Sequence, residues 1–121
     1  MLDVEAKLII RTTTEYNKRI KKLTKYSYEM NKLINIIHYI DDTYDYKELC
    51  SNTLASFYDF ERLRYKLTNY YSFNLGKAHA GTIRLIITFS EDKKIVILVT
   101  ISFKHYKDIK IGDYLFAPDG T

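Results

Sequence analysis

Residues Asn69 to Asp108 read NYYSFNLGKAHAGTIRLIITFSEDKKIVILVTISFKHYKD, and the fold turns on this stretch. Two runs, Thr82 to Phe89 and Ile95 to Phe103, are rich in Ile, Val, Thr and Phe, the residues a pleated, half-buried surface favours. The polar segment Ser90-Glu91-Asp92-Lys93-Lys94 between them reads as a turn, so the pair is an antiparallel hairpin. A symmetric turn sets Phe89 opposite Ile95, Ile87 opposite Ile97, Leu85 opposite Val99 and Ile83 opposite Ile101. Side chains alternate along a strand, so these residues form one apolar face. The other face then carries Thr82, Arg84, Thr100, Ser102 and Lys104, with Ile86 and Leu98 nearer the turn. A hairpin of this kind has a core on one side and a site on the other.

Working outward, Ala6 to Arg11 reads as a first strand, and Thr12, Thr13 and Thr14 are candidate helix caps. From Glu15 to Asp42 the spacing is helical. Ile20, Leu23, Met30, Leu33, Ile34, Ile37 and Ile40 form an apolar stripe, opposite a basic face of Lys18, Arg19, Lys21, Lys22 and Lys25. A bend is placed at Tyr26-Ser27-Tyr28. A second helical stretch is expected from about Tyr46 to Tyr70, burying Leu49, Leu54, Phe57, Tyr58, Leu63 and Leu67. Tyr70 to Leu75 reads as a short strand, Lys77 to Gly81 as a loop, and the tail Lys110 to Thr121 as a further strand or loose end. The expected class is α+β: two or more N-terminal helices packed on an antiparallel β-sheet, in one domain spanning 1–121. The hairpin's inner face is expected to pack against Ile20, Leu23, Leu54 and Leu63.

Composition narrows the class. Hydrophobic residues are 46% and charged residues 28% of the chain, a globular balance. A lone cysteine, Cys50, excludes an intrachain disulfide and fits a reducing compartment. No apolar run approaches the roughly 18 residues of a membrane span, and the N-terminus lacks the pattern of a signal peptide. A cytoplasmic protein is expected, without a membrane partner. The net charge of +4 permits nucleic-acid or acidic-protein binding without requiring either. The twelve tyrosines could stack on bases, but AT-rich coding also yields them.

Standard catalytic motifs are missing: no P-loop, no GxSxG, no HExxH and no CxxC. No cofactor and no metal site is expected, since His38, His79 and His105 lack ligand spacing. His38 falls in the apolar stripe and reads as structural. What remains is Lys77, His79, Arg84, Lys104, His105 and Tyr106. In one concavity such side chains suit metal-free RNA cleavage. A base takes the 2′-hydroxyl proton, cations stabilise the pentacoordinate phosphate, and an acid protonates the leaving 5′-oxygen. The same residues also describe an ordinary basic sheet edge, on which lysines resist edge-to-edge aggregation.

AKLIIRTTTEYNKRIKKL, then helices, then GTIRLIITFSEDKKIVILVTISFKHYKD resembles the RelE/ParE superfamily of bacterial toxins. The shared pattern is a strand of the form G-x-x-R-apolar, a polar turn, and an apolar strand closing in basic residues. It covers about forty residues. The closing KHY is most similar to the YoeB/RelE branch of ribosome-dependent mRNA interferases. The resemblance implies Arg84 as the phosphate contact, His105 as general acid and Tyr106 as a base-stacking or orienting group. It also implies Lys104 and Lys107 on RNA, mRNA on the ribosome as substrate, and an acidic antitoxin as partner in a hetero-oligomer. The branch's glutamate base has no counterpart, which leaves Lys77 or His79 for that role. Two other readings stay open: a ParE-like gyrase inhibitor, and a non-catalytic phage- or plasmid-borne binding domain.

Overall fold

The computed structural model describes residues 7–43, 46–51, 59–63, 69–78 and 81–103. In chain order the elements are β1 (Ile9–Thr12), α1 (Thr14–Leu23), α2 (Ser27–Asp41), α3 (Tyr46–Ser51), β2 (Glu61–Arg62), β3 (Tyr71–Ala78), β4 (Gly81–Phe89) and β5 (Ile95–Ser102). They form a five-stranded sheet in the order β1-β5-β4-β3-β2. Helices α1 and α2 pack on one face of it, an α+β arrangement. The sheet is not wholly antiparallel as expected, because β1 pairs parallel to β5. No hairpin joins β1 to β5: the helices and strands β2 to β4 lie between them in the chain, and a connection of that length allows parallel pairing.

The helices form where the sequence caps and patterns them. Thr13 is the N-cap of α1, its Oγ1 accepting from the Tyr16 amide at 3.0 Å. The same hydroxyl donates to the Val99 carbonyl, so the cap also ties α1 to β5. Glu15 and Arg19 pair one turn apart at 2.6 Å. The bend falls at Thr24–Tyr26, and Met30 donates back to the Tyr26 carbonyl to begin α2. Leu23, Leu33 and Ile40 are buried as the stripe predicts, and Ile20, Met30 and Ile37 pack against the core. Ile34 is 45% exposed, and Ile36 and Tyr39 take the inner positions instead. His38 is exposed near the end of α2, outside the core.

The long second helix is a misreading. After α3 the chain contributes the edge strand β2, within the span expected to be helical. Leu63 lies on the far side of the sheet from the helices, in a second cluster with Tyr70, Ile86 and Val99. Aromatic and β-branched neighbours made a ragged helical stripe there, and strand pairing won. Leu54, Phe57, Tyr58 and Leu67 lie outside the described residues, as does the tail from Lys104 to Thr121.

The hairpin also differs in register. Ser90 and Ile95 close a four-residue loop, the Ser90 amide donating to the Ile95 carbonyl at 2.9 Å. Asp92 accepts from the Ser90 hydroxyl and the Lys94 amide, and Lys93 takes a left-handed φ of 62°. Phe89 therefore pairs with Val96 and Ile87 with Leu98, one residue off the symmetric reading. A one-residue slip reverses every facing. Val96 and Leu98 enter the main core, while Ile97 and Val99 join the opposite cluster. A bulge at Val99 then inserts a second offset, giving the pairs Ile86–Thr100, Leu85–Ile101 and Arg84–Ser102. Past the bulge the expected facing returns, with Ile101 inward and Thr100 and Ser102 on the Arg84 side. Among the described residues, no helix is long and apolar enough to cross a membrane.

Candidate functional site

The sheet face away from the helices is where polar groups collect. On β3, Tyr71, Phe73 and Leu75 join the main core, leaving Ser72 and Asn74 on the other side. Asn74 pairs with Arg84, and Arg84 with Ser102, so one rung crosses three strands as Asn-Arg-Ser. Ser72 and Ile86 form the next rung, extended to β2 by the pairing of Glu61 with Ser72.

These residues line a cleft of about 410 Å³, walled by Asp59, Phe60, Glu61, Ser72, Asn74 and Arg84. Arg84 is half-buried in it. Asn74 is fixed at both ends of its amide: Nδ2 donates to Asp59 Oδ2 at 3.3 Å, and Oδ1 accepts from the Gly76 amide at 2.9 Å. Asp59 itself adopts a left-handed φ of 53°. The cleft thus presents a guanidinium and two carboxylates on a rigid strand frame. A guanidinium can hold a planar or tetrahedral oxyanion through paired N–H groups, and a carboxylate can accept a proton. Strands two apart are separated by about 10 Å and one rung by about 7 Å, so the Glu61 and Arg84 backbones stand roughly 12 Å apart.

Arg84 faces away from the helical core, as expected. Lys77 and Ala78 belong to β3 rather than to a loop, with Lys77 paired to Thr82 and Ala78 to Gly81. His79, Lys104, His105, Tyr106 and Lys107 lie outside the described residues. Lys104 to Lys107 follow Ser102 and Phe103 in the sequence, and His79 falls between β3 and β4. Phe103 still lies against the helices there, its ring 6.1 Å from that of Tyr26 and 5.3 Å from Lys22 Nζ. Asp59 and Glu61 fall in the span that reads as helix, and Ser72 and Asn74 in the stretch that reads as a short strand, where the sequence singles out neither as a site residue. The alternation of Tyr71, Phe73 and Leu75 with Ser72 and Asn74 was the available signal.

The close approach of helix and sheet sits at Gly76, which has φ of +147° beside Glu29 of α2. A Cβ at Gly76 would lie 2.5 Å from Glu29 Oε2. Only glycine suits both that angle and that gap.

No protein-family model matches the sequence, and no curated protein does. Solved structures do match by shape. YafQ from E. coli strain BL21(DE3) aligns with a TM-score of 0.55 at 17% identity, over 85% of this chain and 100% of that one. The toxin–antitoxin complex RelBE2 from Mycobacterium tuberculosis aligns with a TM-score of 0.50 at 16% identity, over 85% of this chain and 98% of that one. The chain therefore has the RelE/YafQ-type fold that its Gly-x-x-Arg hairpin resembles.

Proposed function

We propose that this protein is the toxin of a toxin–antitoxin pair and cleaves messenger RNA on the ribosome. The observation that carries the reading is the cleft in which Arg84, held between Asn74 and Ser102, shares one polar wall with Glu61. Arg84 binds the scissile phosphate and stabilises the charge gained in the transition state. Glu61 takes the 2′-hydroxyl proton, the role that the sequence left to Lys77 or His79. The 2′-oxygen then bonds to phosphorus as the bond to the 5′-oxygen breaks, leaving a 2′,3′-cyclic phosphate. His105 supplies the proton to the 5′-oxygen, and Tyr106 orients or stacks on a base. One guanidinium beside two carboxylates does not hold a phosphate alone, so Lys77, Lys104 and Lys107 supply further positive charge. The named RelBE2 complex, a toxin with its antitoxin, supports an antitoxin partner here. Its acidic segment is attracted by charge, so the affinity falls as salt rises.

The test is induced expression of the wild type, Arg84→Ala, Glu61→Gln and His105→Ala, followed by mapping of mRNA ends. Wild-type cutting with a 10²–10⁴-fold loss in each variant (roughly, for an acid or base) supports the assignment. Cutting that is equal in all four removes it from these residues. Growth arrest with intact messages replaces it with the gyrase-inhibitor reading.

A further inference from the structure

A second cleft lies on the other side of the edge strand. It holds about 320 Å³ and is lined by Arg62, Asn69, Tyr71, Thr88, Phe89 and Lys93, with Tyr70 at its base. Strand β2 is the wall between the two: Glu61 and its partner Ser72 line the first cleft, Arg62 and its partner Tyr71 the second. The two clefts differ in charge. Among the described residues, two carboxylates and one cation line the first, and two cations and no carboxylate line the second. The nearby Asp92 is turned into its own loop, where it accepts from Ser90 and Lys94, and that loop geometry is what sets Lys93 at its left-handed position.

An aromatic run joins the clefts. Phe60 lines the first and stacks on Tyr71, ring centres 5.3 Å apart and 4° from parallel. Tyr71 meets Phe89 of the second edge-on at 5.4 Å. All three are half-buried and so keep some surface in solvent.

We propose that the second cleft is a subsite for one nucleotide of single-stranded RNA flanking the scissile phosphate. The inference rests on the nuclease reading for its substrate. Single-stranded nucleic acid is held by cations that follow the backbone and aromatics that accept bases without sequence preference. Arg62 and Lys93 take the phosphate, and the Tyr71–Phe89 edge takes the base. The volume is at the small end for ligand sites, about 300 Å³, and suits one nucleotide. The strand crosses β2 between the clefts. An acidic peptide uses the two cations but has no need of the aromatic run, so the run decides for RNA.

The experiment uses the full chain carrying Arg84→Ala, which does not cut, and a fluorescent single-stranded RNA 12-mer titrated by anisotropy at several salt concentrations. Adding Arg62→Ala and Lys93→Ala is expected to weaken binding at least tenfold and to reduce the salt slope by about 1.4, since each cation on single-stranded RNA contributes about 0.7. Adding Phe89→Leu, which keeps an apolar side chain in place, is expected to weaken binding at every salt concentration alike. Unchanged affinity and slope in the double variant overturn the subsite. So does an affinity that Phe89→Leu leaves untouched while poly-glutamate displaces the RNA, which makes the cleft an acidic-peptide site. Wild-type protein assayed in parallel on translating ribosomes separates the two claims. Absent cleavage with both binding effects present defeats the nuclease reading alone, and cleavage with neither effect defeats the subsite alone.

Discussion

Arg84 is the residue at which charge and geometry can be separated. Arg84→Lys keeps the charge but loses the planar fork, and a lysine at this rung cannot make two parallel contacts to one phosphate. The expected outcome is a loss of about 10²-fold or more in cut ends, close to that of Arg84→Ala. Gly76 tests backbone rather than chemistry. Gly76→Ala meets Glu29 and a strained angle together, and is expected to cost roughly 1–3 kcal/mol in denaturant unfolding. Trimming Glu29 to alanine in the same chain removes the clash but not the angle, so the rescue should be partial. Tyr39 is the inverse case, a polar group whose value lies in its partner. Its hydroxyl donates to the Leu49 carbonyl and so pins α3 to α2. Tyr39→Phe leaves that buried acceptor unmatched, for an expected loss of about 1–3 kcal/mol, read as a lower unfolding midpoint.

At the scale of the element, the β4–β5 hairpin depends on two offsets that cancel. Deleting Val99 removes one of them. Leu98 is then followed directly by Thr100, and the pairs Ile86–Thr100, Leu85–Ile101 and Arg84–Ser102 persist in an unbulged ladder. A folded protein that keeps its cut ends is expected, by circular dichroism and by mapping of mRNA ends, with a loss of about 1–3 kcal/mol from the missing Val99 contacts with Leu63, Tyr70 and Ile86. Asp92→Ala attacks the other offset by releasing Ser90 and Lys94, and should lower the melting temperature slightly. The same hairpin shows what sequence conveys. Both strands, the turn and the outward facing of Arg84 were legible, because β-branched density and alternation are local. The bulge was not, since Val99 looks like any other core valine until Thr13 and the pairing with β4 are in place. β2 was illegible for a related reason: two residues carry no period, and only β3 makes them a strand. The carboxylate side of the cleft was lost with it.

Over the whole molecule, buried phenols give a readable pH limit. Tyr16 and Tyr39 are both pushed up to about 12 from the ordinary 10, by burial first, and Tyr70 shifts the same way. A raised folded-state value means that the unfolded chain loses its protons first. The stabilising contribution is whole below pH 10 and is lost as pH rises toward 12. Thermal midpoints should therefore fall through that window, and absorbance titration should show a late-ionising class of tyrosines that merges with the rest on unfolding.

The parallel pairing of β1 with β5 has a further meaning in time. Ile9 lies beside Ile95, and Thr13 is tied to Val99 across 86 residues of chain. During synthesis β1 and α1 are made first, and the strand that pairs with β1 and bonds Thr13 is the last of the described elements to be made. Such distant closure is entropically slow and late. The Arg84–Ser102 rung is completed by the same strand, β5. For a protein proposed to cut the message on a ribosome, this order of events withholds a finished cleft until β5 has been made and has emerged.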